Sequence, residues 1–138
     1  MAEHPERVLR RLVPDAVQVQ VILGSLLGDG RLEGAAGERR VRIAHRAERA
    51  DYVWWKYQRL GALAAHPPEP SGDRLEFRTI AHPIFDDIAQ YVACRESRRR
   101  LQELLAPLGL AVWMTDVGRL HLREDAFLPR QRTVALSR

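Results

Sequence analysis

The stretch V-I-L-G-S-L-L-G-D-G at residues 21–30 combines an apolar run, two regularly spaced glycines and one carboxylate. Its pattern predicts a helix over Ala16–Leu27. Gly24 and Gly28 are four residues apart and share one face of that helix, where a second helix backbone can come close. Gly28 also lies just beyond the helix end, which predicts a left-handed cap immediately before Asp29.

A second stretch, G-L-A-V-W-M-T-D-V-G at residues 109–118, has nearly the same build and follows Pro107. The two stretches end at Gly30 and Gly118. If the two helices pack closely, the residue before each of these glycines lies near the end of the other helix. Carboxylates at both positions could share divalent metal ions, as two-metal phosphodiester hydrolysis requires. The position that matches Asp29 is Val117, however, and Asp116 is one residue too early, about 100° around a helix.

Two further segments, residues 39–45 and 74–80, alternate polar and apolar positions, and each predicts a strand with one basic and one apolar face. The basic positions are Arg40, Arg42, Arg74 and Arg78. Further helices are predicted over residues 47–64, 83–93 and 96–105, and a strand over residues 119–123. This order favours an α+β fold with an antiparallel sheet over a doubly wound one.

The composition is that of a globular protein, with 138 residues, 46% hydrophobic and 29% charged, which predicts a single domain over residues 1–138. No apolar run approaches about 20 residues, so no membrane span is expected. The first residues lack the basic and apolar regions of a signal peptide, which predicts a cytoplasmic protein. Cys94, the only cysteine, can form neither an internal disulfide nor a cysteine-type zinc site.

The basic residues point to a polyanionic partner. Of the 22 Lys and Arg residues, only Lys56 is lysine. Arginine pairs well with phosphate and guanine edges, although a GC-rich genome would give the same bias whatever the function. The aromatic cluster of Trp54, Trp55 and Tyr57 could stack on single-stranded bases, but the helical spacing favours a core position for Tyr52 and Trp55 and leaves Trp54 open.

The stretch at residues 21–30 resembles the helix after which the LAGLIDADG homing endonucleases are named. Three later segments resemble the same family in the same order. They are the strand ending at His45 with the helix from Asp51, the strand-to-helix junction at residues 79–85, and the second motif at residues 105–118. The resemblance spans roughly residues 14–127, with a first repeat at about 14–95 and a truncated second repeat at about 105–138.

The resemblance implies paired motif helices and an antiparallel sheet that lies on double-stranded DNA. Asp29 is then the metal-binding carboxylate for Mg²⁺, with the backbone carbonyl of Gly28 as a second ligand. The helix interface contains Gly24, Gly28 and Trp113. His45 and His82 fall where the family places polar residues around the attacked phosphate, and Asp116 is a further catalytic candidate. The expected DNA-binding residues are Arg31, Arg40, Arg42, Arg74, Arg78, Arg119 and Arg123.

Val117 and the short second half leave several hypotheses open. The chain could bind DNA without efficient cleavage, as a regulator or a decaying element, or act as an RNA maturase. Two chains could associate, each supplying Asp29, to form an active homodimer. A monomer with internally paired helices could nick DNA through Asp29 and Asp116. The helices could also be purely structural. The DNA target and the gene context, whether intron, intein or free-standing, stay open.

Overall fold

The computed structural model describes residues 11–118 and the backbone of residues 120–122 and 134–136. Arg119 and Arg123, two of the predicted DNA-binding residues, lie outside the described residues. The helices are α1 (Ala16–Leu27), α2 (Ala50–Leu60), α3 (Pro83–Val92), α4 (Arg95–Glu103) and α5 (Pro107–Asp116), with short 3-10 turns at Ala47–Arg49 and Gly61–Leu63. The strands are β1 (Arg31–Glu33), β2 (Arg40–Arg46), β3 (Glu69–Ser71), β4 (Arg74–Arg78), β5 (Leu120–Leu122) and β6 (Val134–Leu136).

Helix α1 has the predicted bounds and begins with a reciprocal cap. The Gln18 backbone N–H donates to the Asp15 carboxylate over 2.8 Å, and the Asp15 N–H donates to the Gln18 side-chain oxygen over 2.9 Å. Such a cap stabilises a helix by about 1 kcal/mol. The left-handed cap predicted at Gly28 is wrong, because its φ is −94°. At the end of α5, Gly118 does have a left-handed φ of +78°.

Helices α1 and α5 pack side by side through positions where a side chain would not fit. A Cβ added to Gly24 would lie 2.4 Å from the Gly109 carbonyl oxygen and 2.8 Å from the Val112 Cβ. One added to Gly28 would lie 2.4 Å from the Asp116 Cβ. Gly28 is therefore explained by this close approach and not by its backbone conformation, and the α1 face that bears both glycines is covered by α5.

Strands β1 to β4 form an antiparallel sheet in the order β1-β2-β4-β3. The register places Ile43 opposite Phe77 on the apolar face and Arg42 opposite Arg78 on the other. The apolar face packs against α2. The predicted α+β class is confirmed, but β1 and β3 lie where the sequence predicted no strand, because strands of three residues are too short to give a periodic signal.

The aromatic cluster on α2 is divided between the core and the surface. Trp55 is buried, as the core interpretation predicted, and stacks on the ring of Tyr52 at a centroid distance of 6.1 Å. Trp54, whose position the sequence left open, is 42% exposed. Tyr57 is half-buried and meets the ring of Phe77 edge to face. The cluster therefore mainly fixes α2 to the sheet.

The chain after α5 adds a two-stranded ribbon. Strand β5 pairs antiparallel with β6, with Leu120 opposite Leu136. The sequence predicted only one strand after the second motif, and the structure corrects this by adding β6. The second strand is needed because a lone strand would leave its backbone groups unpaired. Among the helices in the described part of the chain, none combines the length and the apolarity that crossing a membrane requires.

Candidate nucleic-acid interface and carboxylate site

The face of the sheet opposite the core is dominated by arginine. Cross-strand partners share a face, so the register places six arginines there together. They are Arg31, Arg40, Arg42, Arg46, Arg74 and Arg78. Five of them were expected from the sequence, and Arg46 was not. We call this surface the arginine face.

Two glutamates on the arginine face hold guanidinium groups in place. Arg42 Nε donates to Glu76 Oε2 over 2.7 Å, and Arg78 Nε donates to Glu33 Oε1 over 2.9 Å. Partly exposed pairs of this kind add little stability, but they restrict the directions in which the guanidinium groups point. Because the arginines outnumber the glutamates, the surface remains suited to a chain of phosphates.

Asp116, the last residue of α5, is buried and fully partnered. The Lys56 ammonium donates to both of its oxygens, over 2.8 and 3.1 Å. The Tyr52 hydroxyl donates over 2.6 Å, and the backbone N–H of Asp29 donates over 3.0 Å. Burial alone raises the pKa of Asp116, but the charge of Lys56 and these hydrogen bonds hold it below its ordinary value. Asp116 is therefore an ionised carboxylate with an internal counter-ion.

Lys56 and Tyr52 both project from α2 toward the end of α5. Lys56 is completely buried, and its ammonium also lies 4.8 Å from the centre of the Tyr52 ring. Burial lowers the pKa of Lys56, and the charge of Asp116 offsets part of that decrease. Burial and the neighbouring Asp116 carboxylate raise the pKa of the Tyr52 hydroxyl well above its ordinary value, so it remains a donor. No signal in the sequence marked either residue as part of the site.

Asp29 lies on the solvent side of the same cluster, with a side chain that is 48% exposed. Its pKa is raised above the ordinary value, mainly because the side chain is partly buried and to a smaller extent because the charge of Asp116 lies nearby. Its backbone N–H is already bound to Asp116. The two acidic residues at the ends of the motif helices are thus neighbours, but one faces the interior and the other faces solvent.

His45 lies beneath both carboxylates. Its Nδ1 is 3.6 Å from an Asp29 oxygen and its Nε2 is 3.7 Å from an Asp116 oxygen, while the side chain is only 2% exposed. Burial and the charge of Lys56 lower its pKa to about 3, so the imidazole is neutral near pH 7. It belongs to the core face of β2, a placement that leaves it little access to a phosphate or an attacking water.

His82 is the N-cap of α3. Its Nδ1 accepts from the Ile84 backbone N–H over 3.1 Å, and its Nε2 donates to the Leu12 carbonyl over 2.8 Å. Both ring nitrogens therefore form hydrogen bonds with backbone groups, and these bonds account for a buried histidine at this position. Trp113, the other residue expected at the helix interface, is half-buried against the core.

A recess of about 500 Å³ opens beside Asp29, at the edge of the arginine face. Its charged lining consists of Asp29, Arg31, Arg42, Arg74 and Arg98. Arg98 comes from α4 and donates to the Leu27 carbonyl at the end of α1 over 3.1 Å. Arg98 was not predicted from the sequence, because α4 contains four arginines and their pattern does not show which one turns toward α1.

The residues present do not fit the pair of carboxylates that a metal centre of this family implies. Val117, at the position that matches Asp29, is 46% exposed and offers no ligand atom. The oxygens of Asp116 are taken up by Lys56, Tyr52 and the Asp29 N–H. In the part of the chain that the structure describes, no group of three or more His, Cys, Asp or Glu side chains is placed to hold a metal ion.

Paired helices beside an antiparallel sheet with a basic outer face define the architecture of the LAGLIDADG homing endonucleases. Residues 19–133 match the model of the LAGLIDADG DNA endonuclease family, and the chain belongs to this family. The fold is similar to that of the homing endonuclease I-WcaI, solved bound to its DNA recognition sequence. The TM-score is 0.65 at 13% identity, over 93% of this chain and 65% of that one.

Curated relatives are longer proteins named Protein RecA. The relative from Mycolicibacterium chitae is 32% identical over 142 residues, which cover 96% of this chain and 31% of the relative. The relative from Mycolicibacterium fallax is 36% identical over 140 residues, which cover 93% of this chain and 32% of the relative. The chain thus spans about a third of the length of these relatives.

Proposed function

We propose that this chain binds double-stranded DNA through the arginine face. The observation that carries the proposal is the register of β1, β2 and β4, which aligns six arginines on the side of the sheet away from the core. Guanidinium groups spaced along strands suit successive phosphates and guanine edges of a duplex groove. Membership of a DNA endonuclease family supports the same partner.

We further propose that the monomer does not cut both strands of DNA efficiently. Mg²⁺-dependent cleavage requires ligands that position a metal at the transferring phosphate. Of the residues at the two motif ends, Asp29 is the one that offers a carboxylate on the solvent side, because Asp116 is held by Lys56 and Val117 has no ligand atom. The test is supercoiled plasmid incubated with Mg²⁺, which should yield no linear DNA; linear product that the Asp29→Asn variant abolishes would overturn this proposal.

The experiment for DNA binding compares two double variants on a mixed-sequence duplex over a range of salt concentrations. Arg40→Ala/Arg78→Ala removes two charges from the arginine face, and Arg99→Ala/Arg100→Ala removes two exposed charges from α4 as the matched control. Each lost phosphate contact should reduce the salt slope by about 1. The sheet variant should therefore bind more weakly and with a smaller slope than the control. Equal affinities and slopes for both variants would overturn the proposal.

A further inference from the structure

We infer that the recess beside Asp29 binds a backbone phosphate of DNA directly through arginines, with Lys56 as the fixed cation of the site in place of a divalent metal. The inference rests on the proposed DNA binding and specifies how this part of the surface contacts the duplex. Arg98 becomes a phosphate-binding residue outside the sheet. Divalent cations then become unnecessary for DNA binding.

The inner half of the site already contains its cation. The Lys56 ammonium lies within 3.1 Å of both Asp116 oxygens and is completely buried. Together with Tyr52 and the Asp29 N–H, it gives four donors to a carboxylate, which has about four lone-pair sites. A metal ion would have to displace a buried ammonium to reach Asp116.

The outer half of the site has the charge of an anion pocket. Among the described residues, four guanidinium groups line the recess against one carboxylate, that of Asp29. Glu76 neutralises part of this charge through Arg42, but it does not line the recess. A divalent cation beside Asp29 would be repelled by these arginines, whereas a phosphate would be attracted. The recess, at about 500 Å³, also has room for a phosphodiester group.

Arg98 is held in a position from which it can contact a phosphate in the recess. Its bond to the Leu27 carbonyl uses one of five guanidinium N–H donors and fixes the group at the end of α1. The arginine also complements the negative end of the α1 dipole, where a phosphate alone would be disfavoured. Arg98 therefore offsets the unfavourable potential of the helix end and supplies donors for the ligand.

The binding experiment uses the full chain and a mixed-sequence duplex, with Arg98→Gln and Arg99→Gln as a matched pair on α4. Arg98→Gln should weaken binding and reduce the salt slope by about 1, whereas Arg99→Gln should change neither. Thermal melting of both variants establishes that the chain is folded in each titration. If a folded Arg98→Gln binds with the affinity and slope of Arg99→Gln, the phosphate site is overturned.

The role of the metal is measured in the same titrations. Affinity in EDTA should equal or exceed affinity in low-millimolar Mg²⁺, because Mg²⁺ then acts only as a competing counterion. Binding that is lost in EDTA would overturn the inference. The sheet variants separate the two proposals: if Arg40→Ala/Arg78→Ala weakens binding while Arg98→Gln does not, only the recess is wrong, and if neither weakens it, the proposed function fails as well.

A second readout requires no DNA. The melting temperature of the wild-type protein should be unchanged by Mg²⁺. Val117→Asp adds a carboxylate at the exposed position that aligns with Asp29, and the melting temperature of this variant should rise on adding Mg²⁺. Val117→Asn, which is similar in size but uncharged, is the control and should not respond. A Mg²⁺-dependent rise in the wild type that Asp29→Asn abolishes would contradict the inference.

Discussion

Removing Lys56 while leaving Asp116 in place should cause a large loss of stability. Lys56→Met keeps most of the buried volume but deletes two of the four hydrogen bonds to the Asp116 carboxylate together with their positive charge. Breaking a buried ion pair in this way costs about 3–5 kcal/mol, because the remaining charge is left without compensation. That is a large share of the roughly 5–15 kcal/mol by which domains are stable.

The assay is urea unfolding near pH 7, with Asp116→Asn and the Lys56→Met/Asp116→Asn double variant completing a cycle. The double variant should lose less than the sum of the single variants, by an interaction energy of about 1–3 kcal/mol. The slope of free energy with urea should stay constant, because the surface exposed on unfolding is unchanged. Additive losses, or a loss below about 1 kcal/mol for Lys56→Met, would refute the reasoning about a buried counter-ion.

The pH dependence gives an independent check on the same pair. In the wild type the pKa of Asp116 lies below its ordinary value, so its stabilising effect is present above that value and is lost as the pH falls through the folded pKa. Without Lys56 the pKa of the buried carboxylate should rise, because burial then dominates. The variant carboxylate would be protonated at a higher pH, so the stability difference from wild type should shrink toward acidic pH. A difference that widens there would contradict the assignment.

Four further outcomes are expected. Gly28→Ala should cost about 1–3 kcal/mol in urea unfolding, because its Cβ would meet Asp116 at 2.4 Å. The pKa of His45 is about 3 in the folded chain, so on acidification the unfolded chain takes up this proton at a higher pH and the free energy of unfolding falls as the pH drops below about 6.5. NMR of the imidazole should show titration near 3. His45→Gln should make the loss of stability toward acidic pH less steep. Light scattering should give a monomer near 15.8 kDa, because α5 covers the α1 face that a second copy would need. Supercoiled plasmid incubated with Mg²⁺ should yield no linear DNA, because Val117 supplies no second carboxylate for a metal ion; linear DNA that the Asp29→Asn variant abolishes would contradict this expectation.

The sequence was sufficient for the motif helices, since apolar periodicity and glycine spacing are local signals. Of the two reasons for Gly28 that the sequence suggested, the close approach of a second helix agrees with the structure and the left-handed cap is wrong. The sequence could not identify Lys56, which lies 60 residues before its partner Asp116. Side-chain pairing over such a separation depends on how α2 packs against the motif helices, and this packing cannot be read from local patterns in one sequence. The short strands β1, β3 and β6 were missed because pairing, and not periodicity, defines them.

The two motif ends are complementary layer by layer when Gly28-Asp29 is aligned with Asp116-Val117. In the inner layer one helix has glycine and the other has aspartate, and the Asp116 side chain occupies the space that Gly28 leaves. In the outer layer Asp29 is aligned with Val117, which is exposed. Each layer therefore has one carboxylate; the inner is neutralised by Lys56 and the outer is left to solvent. An acidic side chain cannot be added at position 28 without a steric clash, whereas one at position 117 meets no such obstacle. The outer layer is thus one substitution from a paired-carboxylate site, while the inner layer is committed to holding the helices together.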